Sequence, residues 1–262
     1  MEQSFYKNYF ELEKGNWWFR VRRNIVFWFL NRNRIGQGKK ILDYGCGSGF
    51  LVGKLQESGL DAYGVDISKE AISLGVSRGI KNLSIASGIE LDFADNFFDA
   101  VLALDVVEHI EDDKAAIKEL GRLVRPGGYL ILTVPAYQWM WGIQDEVAHH
   151  YRRYSMKSIL DLIKTRLDLT VTRKSHFNTF LFFPAAAVRI VSKLFKSKNR
   201  ESDFDINNKL LNKLLYNIFN LEAKLLRYIN FPFGVSILLV LKKNESPHSE
   251  SISSEVAGPD TF

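Results

Sequence analysis

Lys39-Lys40-Ile41-Leu42-Asp43-Tyr44-Gly45-Cys46-Gly47-Ser48-Gly49-Phe50-Leu51 decides the fold. A short apolar run ends in an acid, three glycines alternate, and apolar residues Leu51 and Leu55 then recur at helical spacing. The reading is strand, tight loop, helix. Glycines let a backbone approach a ligand closely, and the start of the helix offers N–H groups that have no partner within the helix. A dinucleotide fingerprint would require a third glycine at position 50, where Phe50 stands, so a nicotinamide dehydrogenase is excluded. The pattern is G-x-G-x-G with an acid two residues ahead of it. The candidate cofactor residues in the loop are Asp43, Gly45, Cys46, Gly47 and Gly49.

Outward from the loop, short apolar runs alternate with helical stretches from Lys39 to about Val134. That rhythm predicts βαβ units and a parallel sheet, an α/β doubly wound fold. Leu60 to Val65 reads as the second strand, with Ser68 capping a helix to about Ser77. Asn82 to Ala86 and Phe98 to Leu104 read as the third and fourth. A helix from about Asp112 is expected to stop at Pro126-Gly127-Gly128, before a fifth strand from Tyr129 to Val134. Asp66 follows the second strand, 66 − 45 = 21 residues after the first glycine. There a carboxylate can accept bonds from both ribose hydroxyls, with Ile67 packing on an adenine face.

These segments resemble class I S-adenosylmethionine-dependent methyltransferases. Asp43 to Gly49 looks like their first motif. Phe98-Asp99-Ala100-Val101 with Leu104-Asp105-Val106-Val107-Glu108-His109-Ile110 looks like their fourth-strand motif, and Leu123 to Gly128 like their turn into strand five. The resemblance implies S-adenosyl-L-methionine as cofactor and S-adenosyl-L-homocysteine as product. It places Leu104 and Asp105 at the methionine end and Asp43 near the amino group. Where the family often carries an acid for the adenine amine, this chain has Ser87, followed by Gly88 and Ile89. The resemblance also implies a mostly parallel seven-stranded sheet, with Val235 to Leu241 antiparallel beside strand five.

The acceptor side lies outside this core. Residues 1–35 read as an N-terminal helical arm, and 36–244 as the methyltransferase domain. Residues 136–154 form an irregular substrate loop, 178–230 a helical insertion before the last strand, and 245–262 a disordered tail. Asn16-Trp17-Trp18-Phe19-Arg20, with Arg22 and Arg23, and His149-His150-Tyr151-Arg152-Arg153-Tyr154 are the two candidate clusters. Both resemble segments of a bacterial subgroup near glycan and lipid-glycan assembly. The substrate candidates are Trp17, Trp18, Arg20, His149, Arg152 and Tyr154. The catalytic candidates are His150 and His109 as proton carriers and Arg153 on an anionic acceptor group. Each has a plainer reading: the aromatics as packing, the arginines as solvated charges and His109 as structural. Adjacent histidines suggest metal, but no third ligand stands at convincing spacing, so none is assigned.

Composition narrows the classes further. A net charge of +5 over 262 residues is mild for a nucleic-acid binder. No Asn/Asp-Pro-Pro-Tyr motif of base methylation follows strand four, although an RNA or protein methyltransferase, or a cofactor-binding partner subunit without turnover, shares the same fold. One cysteine excludes a disulfide framework. Early acids at Glu2, Glu11 and Glu13 do not suit a secretory signal, and no apolar run is long enough to span a bilayer, so a cytoplasmic location is expected. Phenylalanines between Thr179 and Lys196, beside Arg189, Lys193, Lys196, Lys198 and Arg200, fit either an ordinary helical cap packing on the sheet or contact with a membrane surface or a lipid chain. The expected reaction is methyl transfer to a small-molecule, saccharide or lipid-linked acceptor, on oxygen.

Overall fold

In the computed structural model the described residues are 10–86, 88–164, 168–195 and 208–245, with 192–195 as backbone only. Seven strands form one sheet in the order β3-β2-β1-β4-β5-β7-β6. They are β1 (Lys40–Tyr44), β2 (Asp61–Asp66), β3 (Leu83–Ile85), β4 (Phe98–Leu104), β5 (Val124–Pro135), β6 (Leu169–Phe177) and β7 (Ser236–Lys243). β1 to β5 pair in parallel, and β7 runs antiparallel between β5 and β6. β4 is apolar on both faces, as a central parallel strand must be, and six of its seven residues are buried, all but Asp99.

Neighbouring residues of β1 separate the core into two layers. Ile41 faces the cluster that holds α1 (Trp17–Arg32), α2 (Phe50–Glu57) and part of α8 (Lys209–Leu225). Leu42 faces the cluster built with α4 (Asp113–Leu123) and α6 (Met156–Ile163). The remaining helices are α3 (Lys69–Ser77), the short α5 (Ile143–Val147) and α7 (Phe182–Phe195). Ser68 caps α3 by accepting from the Ala71 N–H at 3.1 Å, an interaction of about 1 kcal/mol.

The structure departs from sequence expectation at two places. The helix before strand five ends at Leu123, and β5 begins at Val124, ahead of the Pro-Gly-Gly turn. Gly127 (φ +73°) takes the left-handed turn while the β4–β5 register shifts between Phe98 and Ala100, so the strand bulges rather than starting late. Residues 136–154 are not structureless either: a 3₁₀ turn (Gln138–Met140) and α5 lie within them. Asp145 holds this segment by accepting from the Gly142 N–H at 2.8 Å. Lys196, Lys198, Arg200 and residues 246–262 of the expected tail lie outside the described residues.

α1 is tied to the far end of the chain. The Trp17 N–H donates to Asn212 Oδ1 of α8 at 2.8 Å, and Trp18 stacks on both Phe177 of β6 and Phe219 of α8, at 5.5 and 5.3 Å, while those two rings stack on each other at 6.1 Å. Each such aromatic pair adds roughly 0.5–1.5 kcal/mol to its burial. The arm, the end of β6 and α8 therefore form one wall.

Candidate active site

The wall closes a cavity of about 860 Å³ over the carboxyl ends of β1, β2 and β4, within the range of cofactor sites. Its floor is the glycine loop. Gly45 (φ +77°) leaves no room for a side chain, since a Cβ there would lie 2.4 Å from Val106. Gly47 (φ +54°) donates its N–H to Asp66 Oδ2 at 2.8 Å, while Asp66 Oδ1 accepts from the Ser68 N–H at 2.9 Å. The carboxylate is thus aimed at the loop and held by backbone N–H groups on both sides. Ile67, on the rim, is an apolar side chain 80% exposed.

Three acids surround this floor. Burial pushes the Glu13 carboxyl up to about 8 against the pull of Arg22, and its Oε2 accepts from the Ser48 hydroxyl at 3.1 Å. Burial likewise raises Asp43 to about 7, again opposed by Arg22. Arg22 itself donates to Asp105 Oδ2 at 2.5 Å and to the Leu104 carbonyl at 3.3 Å. Asp105 stands at φ +57°, a strained backbone that Thr133 and Arg22 hold from both sides.

The opposite wall carries the histidines. Burial lowers His109 to about 4, so its imidazole is neutral at pH 7. It packs edge-on against His150 with ring centroids 4.5 Å apart. His150 Nδ1 lies 2.9 Å from Asp145 Oδ1, and Arg153 Nε donates to the same oxygen at 2.7 Å. Burial works against the Asp145 charge, but the bonds from His150 and Arg153 prevail and hold its carboxyl down to about 2. Glu108 is fully buried, its carboxyl raised by burial and by Asp105.

Of the cofactor candidates, Asp43, Gly45, Cys46, Gly47, Asp66, Ile67, Gly88, Ile89, Leu104 and Asp105 all line the cavity. Gly49 lies behind it, at the start of α2, where a Cβ would meet Leu83. Ser87 lies outside the described residues. Trp17, Trp18, His109, His150 and Arg153 also face the cavity. Four candidates are placed elsewhere. Arg20 lies over the Tyr216 ring at 4.0 Å, and Arg152 binds Asp113 and the Glu111 carbonyl. Tyr154 is buried, with its hydroxyl on Asp113, and His149 takes a left-handed turn (φ +56°) outside the wall. Glu13, Asn178 and Asp145 are the residues that sequence reasoning missed. Asn178 is buried in the wall with Oδ1 unpartnered, but an isolated asparagine after a strand carries no sequence signal. Glu13 is legible only once the arm is known to fold over the loop.

Residues 42–132 match the methyltransferase domain family. A ubiquinone biosynthesis O-methyltransferase of Chromobacterium violaceum is 25% identical over 155 residues, which cover 50% of this chain and 65% of that protein. The chain thus spans less than two thirds of the length of the curated relatives it matches. Among solved structures, a putative sarcosine dimethylglycine methyltransferase of Galdieria sulphuraria superposes with TM-score 0.58 at 16% identity, covering 86% of each chain. The phosphoethanolamine N-methyltransferase 2 of Haemonchus contortus, solved with S-adenosyl-L-methionine, gives TM-score 0.52 at 18% identity, over 82% of this chain and 53% of that one. Residues 42–132 are therefore a methyltransferase domain, set in a sheet of the class I S-adenosylmethionine-dependent methyltransferase fold.

Proposed function

We propose that this chain binds S-adenosyl-L-methionine on the glycine loop and transfers its methyl group to a hydroxyl of a small or lipid-linked acceptor. The observation that carries the reading is the pairing of Asp66 with the Gly47 N–H across a loop where Gly45 has no room for a side chain. The residues present fit the cofactor. Asp66 retains capacity for ribose hydroxyls, Ile67 offers an adenine face, and Asp43 and Arg22 suit the amino and carboxylate groups of an amino acid. When bound, the cofactor supplies an electrophilic methyl on a sulfonium.

The protein's part is to align and to exclude water. Trp17, Trp18 and Leu215 roof the cavity, and the acceptor meets the wall of Glu108, His109 and His150, where its hydroxyl is activated. Oxygen as the acceptor atom is supported by the name of the Chromobacterium relative. An apolar acceptor tail is supported by Leu181 and the α7 that follows it, which turns Pro184 and Ala185 to the cavity and leaves Phe183, Ile190 and Val191 exposed. No described helix is long and apolar enough to cross a membrane. A peripheral contact along α7 is therefore the form that lipid association takes in this reading, and flotation with acidic liposomes tests it.

Calorimetric titration with S-adenosylmethionine, S-adenosylhomocysteine and NAD tests the core of the reading. Binding of the two sulfur ligands without NAD is the expected result. A folded protein that binds neither sulfur ligand overturns it.

A further inference from the structure

Glu108 is the least comfortable group in the molecule. It sits in the 3₁₀ turn Val107–His109 that follows β4, wholly buried, and neither carboxylate oxygen has a hydrogen-bond partner. A buried carboxylate without partners must be neutralised by a proton or by a cation. The two nearest arginine charges are already engaged, Arg22 with Asp105 and Arg153 with Asp145. What Glu108 does face is a pair of imidazoles. One ligand atom from each of Glu108, His109 and His150 falls within 4.8 Å of the other two.

Both rings are held in the manner of metal ligands. His150 is fixed through Nδ1 by the Asp145 carboxylate, which leaves Nε2 as its coordinating nitrogen. His109 is fixed by a bond to the Ala148 carbonyl, which leaves its other nitrogen. Outer oxygens that orient imidazoles in this way are the usual support of a bound metal. A mere proton-sharing cluster would have no need of two such supports, and it would leave the second Glu108 oxygen bare. Ligand atoms around a metal at about 2.1 Å lie roughly 3 Å apart, so the three groups close inward when the ion arrives.

We propose that Glu108, His109 and His150 bind one divalent first-row transition metal ion on the cavity wall, leaving coordination positions open to an oxygen of the acceptor. Two imidazoles and one carboxylate with open positions suit zinc, manganese, iron or cobalt better than magnesium or calcium. The metal site stands on its own geometry; its role in activating the acceptor rests on the methyl-transfer reading. A bound ion would acidify a hydroxyl coordinated to it, whose proton would pass to solvent, and the oxygen left behind would take the methyl as the sulfonium departs as the thioether.

The test uses the untagged full chain, stripped with a chelator and titrated with Co²⁺ by visible absorption and with Zn²⁺ and Mn²⁺ by calorimetry. One equivalent is expected to bind, with a cobalt spectrum that reports nitrogen ligation. Glu108→Gln and His150→Ala should each weaken binding by at least ~10-fold, as loss of support around a metal already does. His149→Ala, next in the chain but outside the cluster, should leave binding unchanged. Circular dichroism melts establish that each variant is folded. Absence of stoichiometric binding to the wild type, or equal binding by both cluster variants, overturns the proposal. S-adenosylhomocysteine is titrated in parallel. Binding of it without metal defeats the metal site alone, and metal binding without it defeats the methyl-transfer reading alone.

Discussion

Gly45→Ala is the most direct perturbation of the loop. The added Cβ would lie 2.4 and 2.8 Å from the two Val106 methyls and 3.2 Å from Val106 Cβ. Carbon atoms pack at about 3.5–4.0 Å, so the nearer methyl must retreat by roughly 1.1–1.6 Å. It cannot do so freely, because Val106 leads directly into the Val107–His109 turn. Overpacking of that size costs about 1–3 kcal/mol. The backbone adds a second cost, since φ is +77° and a side chain in the left-handed region costs roughly 1–2 kcal/mol. The sum is about 2–5 kcal/mol of folding stability. Urea unfolding followed by circular dichroism measures it, and titration with S-adenosylhomocysteine should show binding weakened by more than ~10-fold, or about 1.4 kcal/mol. Gly15→Ala is the control, because nothing lies within 4 Å of its added carbon. If Gly45→Ala unfolds within about 0.5 kcal/mol of wild type, like a neutral surface change, the packing argument is refuted.

Four further outcomes follow from the same geometry. Asp66→Ala removes the acceptor of the Gly47 and Ser68 N–H groups and should abolish detectable S-adenosylhomocysteine binding in calorimetry, while retained affinity would remove Asp66 from the site. Glu13 ionises near 4.5 when unfolded and near 8 when folded, so between those values the folded state binds the extra proton. Its contribution to stability is complete below about pH 4.5 and is lost as pH rises through about 8. Glu13→Gln should therefore flatten the fall in urea-unfolding free energy between pH 5 and pH 8. Trp18→Ala removes one ring of the three-ring cluster with Phe177 and Phe219 and should cost about 3–5 kcal/mol by the same assay. Arg153→Ala breaks an ion pair whose Asp145 side chain is wholly buried, at a cost of about 3–5 kcal/mol. Arg152→Ala, a partly exposed pair with Asp113, should cost about 0–1 kcal/mol, and equal losses would contradict this placement.

The cofactor half was legible because its chemistry is local. Asp43 to Gly49 sits on consecutive residues, and Asp66 follows at a distance that one βαβ unit dictates, so the order of residues already carries their geometry. Strand six to strand seven was readable as elements, but not as walls. Glu13 acts through Ser48, 35 residues away, and Asn178 through its place in the cavity wall, and no period announces such pairings. Asp145 binds Gly142, His150 and Arg153, all within eight residues, but in an irregular segment whose turns the sequence does not spell out. The histidine cluster shows the same limit from the other side. No third ligand stands near His149 and His150 along the chain, because Glu108 and His109 arrive from the turn after β4. The arginines of the same segment divide for a physical reason: in extended chain Arg152 and Tyr154 alternate to one side and meet at Asp113, while Arg153 between them turns the other way to Asp145.

The bond from Trp17 to Asn212 joins residues 195 positions apart. During synthesis at about 5–20 residues per second, the arm leaves the ribosome some 10–40 s before its partner helix exists. Through that interval Trp17 and Trp18 lack their α8 partner Phe219, whereas the first five parallel strands can already assemble in order. The loop for the cofactor is thus born open, and the chamber above it is roofed last. A nascent chain halted before residue 209 would present the glycine loop without its roof, and its arm would be the segment most exposed to chaperones.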